Sequence, residues 1–166
     1  MYWFSRNWTG GQLGICPRPR GNDWLEDELK HFQQSGVDIL VSALESSESL
    51  ELELQQEAQL CAQAGMDFLS FPIVDRNVPD SMKSFTGFTR RLSQELTSGK
   101  TIMIHCRQGI GRSSLLAAGV MVHLTQQTAQ ECFVHIAKAR GRDVPDTMEQ
   151  IKWLETWIAS NESTLF

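Results

Sequence analysis

Cysteine is scarce and poorly spaced for a metal site. The four, Cys16, Cys61, Cys106 and Cys132, form neither a Cys-x-x-Cys pair nor a zinc-binding spacing. Positive charge is in deficit, with 15 Lys and Arg against 20 Asp and Glu and a net charge of −5. That balance argues against a general nucleic-acid or anionic-membrane surface but leaves room for a local basic pocket. No apolar run approaches the length of a membrane span, and Met1–Asn7 lacks the apolar core of a secretion signal. Internal repeats and low-complexity linkers are also missing. These absences point to a cytoplasmic chain without metal or membrane, in which 166 residues form a single domain, 1–166. That length is enough to bury a core without metal or disulfide staples.

The apolar pattern alternates between two periods. Leu25, Leu29 and Phe32 share one helical face ended by Gly36, and residues 37–41 then read as a compact strand. Residues 46–64 predict one helix with Leu50, Leu54, Ala58, Cys61 and Ala64 inward, leaving Glu51, Glu53 and Glu57 as a solvated acidic face. A strand over 67–73 leads into a loop from Asp75 to Asp80, and Met82, Phe85, Phe88, Leu92 and Leu96 mark the next helix, with Asp80 as its N-cap. After a strand at 101–105 and a strongly apolar helix, Thr128–Glu131 forms a capping box over Ala129, Cys132, Phe133 and Ile136. The last helix turns Met148, Ile151, Leu154 and Ile158 inward. Residues 1–20 predict one or two short edge strands. Strands alternating with helices imply an α/β fold, with a central, mostly parallel sheet flanked by helices and right-handed crossovers. Ligands bind beyond the carboxyl ends of such strands, where the loops at Asp75 and Cys106 both open.

The chemistry concentrates in His105-Cys106-Arg107-Gln108-Gly109-Ile110-Gly111-Arg112-Ser113-Ser114. The stretch joins a buried strand to a helix that is apolar on nearly every side. Its loop amides converge just beyond the helix N-terminus, where unpaired donors and the macrodipole favour an anion. Gly109 and Gly111 permit the backbone such a nest needs, and Arg112 can grip two phosphate oxygens with one planar fork. Cys106 faces the same positive potential, which favours its thiolate, and Ser113 is placed to donate a hydroxyl to the sulfur. A nucleophile inside an oxyanion cradle implies attack on phosphorus and a phosphocysteine intermediate. Positioned donors supply the charge stabilisation, so no cofactor and no metal is called for.

His-Cys, five residues, Arg, Ser resembles the signature of cysteine-dependent protein tyrosine phosphatases. The short chain resembles their dual-specificity branch, nearest to cyclin-dependent kinase-associated phosphatase-like proteins. Residues 71–80, Phe-Pro-Ile-Val-Asp-Arg-Asn-Val-Pro-Asp, and 140–147, Arg-Gly-Arg-Asp-Val-Pro-Asp-Thr, leading to Gln150, match the same branch. The resemblance implies the phosphatase fold and a phosphate cradle formed by Arg107, Gln108, Gly109, Ile110, Gly111 and Arg112. It implies Cys106 as nucleophile, Asp75 rather than its rival Asp80 as general acid, and Ser113 as stabiliser of the departing thiolate. His105 becomes a support that holds the loop through backbone hydrogen bonds, and Gln150 either positions water or merely faces solvent. Trp-Pro-Asp is missing from the acid loop, which implies a pocket open to phosphoserine and phosphothreonine as well as phosphotyrosine.

The expected partner is therefore a phosphorylated protein substrate. The sequence leaves the oligomeric state open. Alternatives are a phosphatase of phosphoinositides, nucleotides or RNA 5′ ends, or a non-catalytic phospho-binding module. A rhodanese-like sulfurtransferase fits the five-residue gap less well. Arg18, Arg20, Arg76, Arg107, Arg140 and Arg142 are candidate sources of further positive potential, Arg107 foremost because it lies inside the loop, where its N–H can serve even with the side chain outward.

Overall fold

A computed structural model describes residues 1–4 and 10–165, with side chains through Asn161. Residues 5–9, part of the stretch expected to hold edge strands, lie outside it. Five strands form one mixed sheet: β1 (Tyr2–Trp3), β2 (Leu13–Pro17), β3 (Ile39–Ser42), β4 (Asp67–Ser70) and β5 (Ile102–Cys106), in the order β1-β2-β5-β3-β4. β1 runs antiparallel on β2, and the other pairings are parallel. The expected parallel core is present, but β2 is an interior strand rather than an edge, bonded to both β1 and β5.

Strand alternation sorts the side chains into two cores. Leu13 and Ile15, Ile39 and Val41, and Ile102, Ile104 and Cys106 join one cluster. That cluster lies against α4 (Met82–Thr97), α5 (Arg112–Thr125), α6 (Ala129–Arg140) and α7 (Met148–Leu165). Cys16, Leu40 and Met103 face the other way, onto α1 (Leu25–Gln34) and α3 (Glu57–Gln63). The apolar helix after the signature is central as expected: every residue of α5 from Arg112 to Val122 is buried. A Cβ on its Gly119 would collide with the Phe85 ring and Thr89, so this glycine lets α4 and α5 approach closely. Trp157, fully buried, packs edge-on against Phe85 at 5.0 Å and donates its indole N–H to Thr86 Oγ1 at 2.8 Å. Among the described residues no helix is long and apolar enough to cross a membrane.

Several local expectations change. The helix predicted over 46–64 is two, α2 (Ser46–Glu51) and α3, because Glu53 takes a left-handed φ of 57° and turns the chain. Leu50 is then left exposed while Leu54 stays buried. Ser81, not Asp80, caps α4, its hydroxyl accepting from Ser84 N at 3.2 Å. Met148, expected inward, is exposed at the first turn of α7. Thr128 and Glu131 do form the capping box of α6.

His123, near the end of α5, has Nε2 3.0 Å from Thr89 Oγ1 and its ring beside Trp157. Burial, and secondarily the charge of Arg90, depress its pKa from 6.5 to about 4. Above 6.5 the imidazole is neutral in both folded and unfolded chains. Between 6.5 and 4 the unfolded chain binds a proton that the fold refuses, so this group makes stability fall as pH falls. His123→Gln is therefore expected to lose less stability than the parent over that window. Thermal melts at several pH values check this, and parallel curves would contradict it.

Candidate active site

β5 delivers Cys106 at its last residue, and α5 begins at Arg112, so residues 107–111 form the tight turn between them. The carbonyls of this turn are held from outside. Arg140 donates Nε to Gly109 O at 2.9 Å and Nη2 to Gln108 O at 3.3 Å, and Arg18 N donates to Arg107 O at 3.4 Å. In a trans peptide C=O and N–H point in opposite directions, so outward carbonyls at 107–109 direct the N–H groups of 108–110 inward. Gly109 has φ 65°, and a Cβ there would strike the backbone of Cys16 and Pro17. The turn is thus seated on the end of β2 at a residue that only glycine can supply.

Arg112 is the most constrained side chain here. Only 1% exposed, it donates Nη1 to Glu48 Oε2 at 2.5 Å and Nη2 to Glu48 Oε1 at 3.0 Å. Nη1 also reaches Ile73 O at 3.0 Å, and Nη2 lies 2.8 Å from Asp75 Oδ1. Burial by itself would raise the Glu48 carboxyl. The hydrogen bonds from Arg112 and from the Glu45 N–H, with the charges of Arg112 and Arg107, outweigh burial and hold it below the usual range. Glu48 serves twice, since its bond to the Glu45 N–H also closes the capping box of α2.

Cys106 Sγ lies 3.4 Å from Ser113 Oγ, and both residues are buried. Cys106, Arg112 and Asp75 line one cavity of about 150 Å³, together with Arg76, Arg107, Gln108 and Asp146. The structure therefore brings Asp75 to the cysteine, as the two-loop expectation requires, while Asp80 does not line the cavity. Gln150 does not face solvent. It is fully buried, and its Nε2 donates to Asn77 O at 2.9 Å, tying α7 to the loop that carries Asp75.

Other expectations move. His105 points to the opposite sheet face from Cys106, so neither ring nitrogen bonds the loop backbone. Its Nε2 lies 3.0 Å from Glu57 Oε1 instead. Glu57, expected on a solvated face, is 2% exposed, because the break before α3 turns its first residue toward the sheet. Arg18 folds onto Pro19 O, and Arg20 pairs with Glu28 and stacks on Trp24, so neither lines the cavity. Arg107 turns outward to Glu51. Arg140, a candidate for positive potential, holds loop carbonyls and lies 4.1 Å over the Tyr2 ring. Sequence reasoning missed Glu48, whose capping role alone accounts for it locally, and Asp146, which reads as the opening of a helix. Burial pushes the Cys16 thiol up, and moves that of Cys61 to about 12, so neither competes as a nucleophile.

Removing Glu48 leaves a buried guanidinium without its counter-charge. Glu48→Ala is expected to lower unfolding stability by about 3–5 kcal/mol in urea titration. A loss under about 1 kcal/mol would mean that solvent reaches Arg112 and that the pair is not buried in solution.

The family model described as "Polymorphic toxin system, DSP-PTPase phosphatase" matches residues 15–126, from β2 through α5 and so across the whole Cys106–Arg112 turn. The chain is 25% identical over 150 residues to a rat protein named Cyclin-dependent kinase inhibitor 3, covering 86% of this chain and 69% of that one. It is 37% identical over 96 residues to the Putative tyrosine phosphatase 197R of Invertebrate iridescent virus 6, covering 56% and 35%. Its fold is that of a solved kinase associated phosphatase with its catalytic cysteine changed to serine. The TM-score is 0.88 at 20% identity, over 98% of this chain and 95% of that one. The matched span holds most of β2, all of β3, β4 and β5, and the Cys106–Arg112 turn, and on it the chain belongs to the DSP-PTPase phosphatase family.

Proposed function

We propose that this chain hydrolyses phosphomonoesters through a phosphocysteine intermediate, acting on phosphotyrosine and on phosphoserine or phosphothreonine of a protein substrate. One observation supports this above the others: Cys106, the Arg112 fork and the Asp75 carboxylate share one small cavity. Arg112 Nη2 is occupied by Asp75 at 2.8 Å, so an arriving phosphate replaces that carboxylate on the guanidinium. Glu48 keeps the fork oriented meanwhile. The displaced Asp75, half-exposed and on a loop tethered through Asn77 to Gln150, is then free to face the leaving oxygen.

The first step forms the Sγ–P bond and breaks the P–O bond to the alcohol, which takes a proton from the Asp75 carboxyl. In the second, the Asp75 carboxylate accepts a proton from water as water attacks phosphorus, and the S–P bond breaks. Ser113 Oγ, 3.4 Å from the sulfur, donates to the thiolate as it leaves. The loop amides and Arg112 hold the equatorial oxygens throughout, where preorganised donors count most. A reducing compartment keeps Cys106 unoxidised, and the thiolate attacks phosphorus after the thiol has given its proton to solvent. The name of one structural neighbour, a kinase associated phosphatase, is in keeping with a phosphorylated protein as substrate.

Hydrolysis of para-nitrophenyl phosphate with chelator and reductant tests the reading. Wild type is expected to turn over and Cys106→Ser to be inactive. Asp75→Asn is expected to lose about 10²–10⁴ in kcat along with the alkaline limb of its pH profile. Retention of activity by Cys106→Ser would overturn the mechanism. An inert wild type that still binds phosphopeptide would make this a phospho-binding module.

A further inference from the structure

Asp146 lines the cavity with Cys106 and Arg112, yet nothing in the reaction above uses it. Its carboxylate is seated directly on the phosphate turn, since a Cβ at Gly111 would collide with it. It forms no ion pair among the described residues. The cations that could offset it are otherwise engaged. Arg107 Nη2 is bound to Glu51 at 2.5 Å, with its Nη1 3.7 Å from Glu48. Arg140 is directed at the carbonyls of Gly109 and Gln108 from outside and does not line the cavity. Arg112 is divided between Glu48 and the incoming phosphate. With phosphate bound and Asp75 displaced, the cavity wall holds Asp75 and Asp146 against Arg76, the remaining cation of the lining. The chain's net charge of −5 adds a field of the same sign.

We propose that Asp146 is a specificity-determining residue that selects phosphomonoesters carrying a cation beside the scissile phosphate. In a phosphoprotein this is a lysine or arginine flanking the phosphorylated residue. A second phosphate or a neighbouring carboxylate meets Asp146 without a countercharge and is rejected. This rests on the phosphatase reading above and deepens it. The selection is electrostatic, so it weakens with ionic strength, which a purely structural role for Asp146 would not produce.

The test compares kcat/KM on two phosphotyrosine peptides that differ only in flanking lysines or glutamates, with para-nitrophenyl phosphate as an uncharged-flank reference. Wild type is expected to favour the lysine peptide about tenfold at low salt, shrinking to roughly twofold near 0.5 M salt. Asp146→Asn is expected to bring the two peptides within about threefold, and Asp146→Lys to reverse the order. Equal wild-type values on the two peptides, with nitrophenyl phosphate still hydrolysed, would overturn the charge selection alone. A preference unchanged in both variants would do the same. If O-phosphoethanolamine is turned over as well as the lysine peptide, the cation belongs to a small ester and the phosphoprotein assignment is overturned. Failure on every substrate overturns the phosphatase reading and this proposal with it.

Discussion

A guanidinium that is 1% exposed must find its solvation inside the protein, and for Arg112 the bidentate partner is Glu48, with Ile73 O and Asp75 completing the set. The pair bridges α2 and the first residue of α5 and fixes the direction of the fork before any ligand arrives. An unpaired charge at this depth would cost several kcal/mol, so the position of α2 and the orientation of the Arg112 fork are one constraint.

Around that pair, the cradle is built by pulling its back outward. Arg140 and the Arg18 N–H hold three successive carbonyls on the far side of the turn, and the amides that would meet an anion face inward as a consequence of peptide planarity. The positive potential of the site is therefore carried by N–H groups, the helix N-terminus and one arginine. Of the other arginines close to it, Arg107 is paired with carboxylates and Arg140 with backbone carbonyls, leaving Arg76 on the cavity lining.

The short elements around the signature were legible because their causes are local. A β-branched run, two glycines and an apolar helix dictate strand, turn and helix at 102–125 without reference to the rest of the chain. The capping box at Thr128–Glu131 is equally local. Apolar periodicity failed at 46–64, since Leu50 and Leu54 keep helical spacing even though Glu53 turns left-handed between them. It failed again at Glu57, because spacing tells which residues share a face and not which face a neighbouring strand will cover.

The sequence by itself determined the strand–turn–helix that carries the signature: a cysteine at a strand end, a glycine-bearing turn and an arginine at a helix start, brought together by covalent connection along ten residues. Tertiary structure alone decided which carboxylates serve that turn. Glu48, Glu57, Asp75 and Asp146 come from four separate segments, and only the sheet order and its crossovers determine which of them face Arg112, His105 or the cavity. Charges interact through space over a few ångströms, and sequence separation carries no record of that distance.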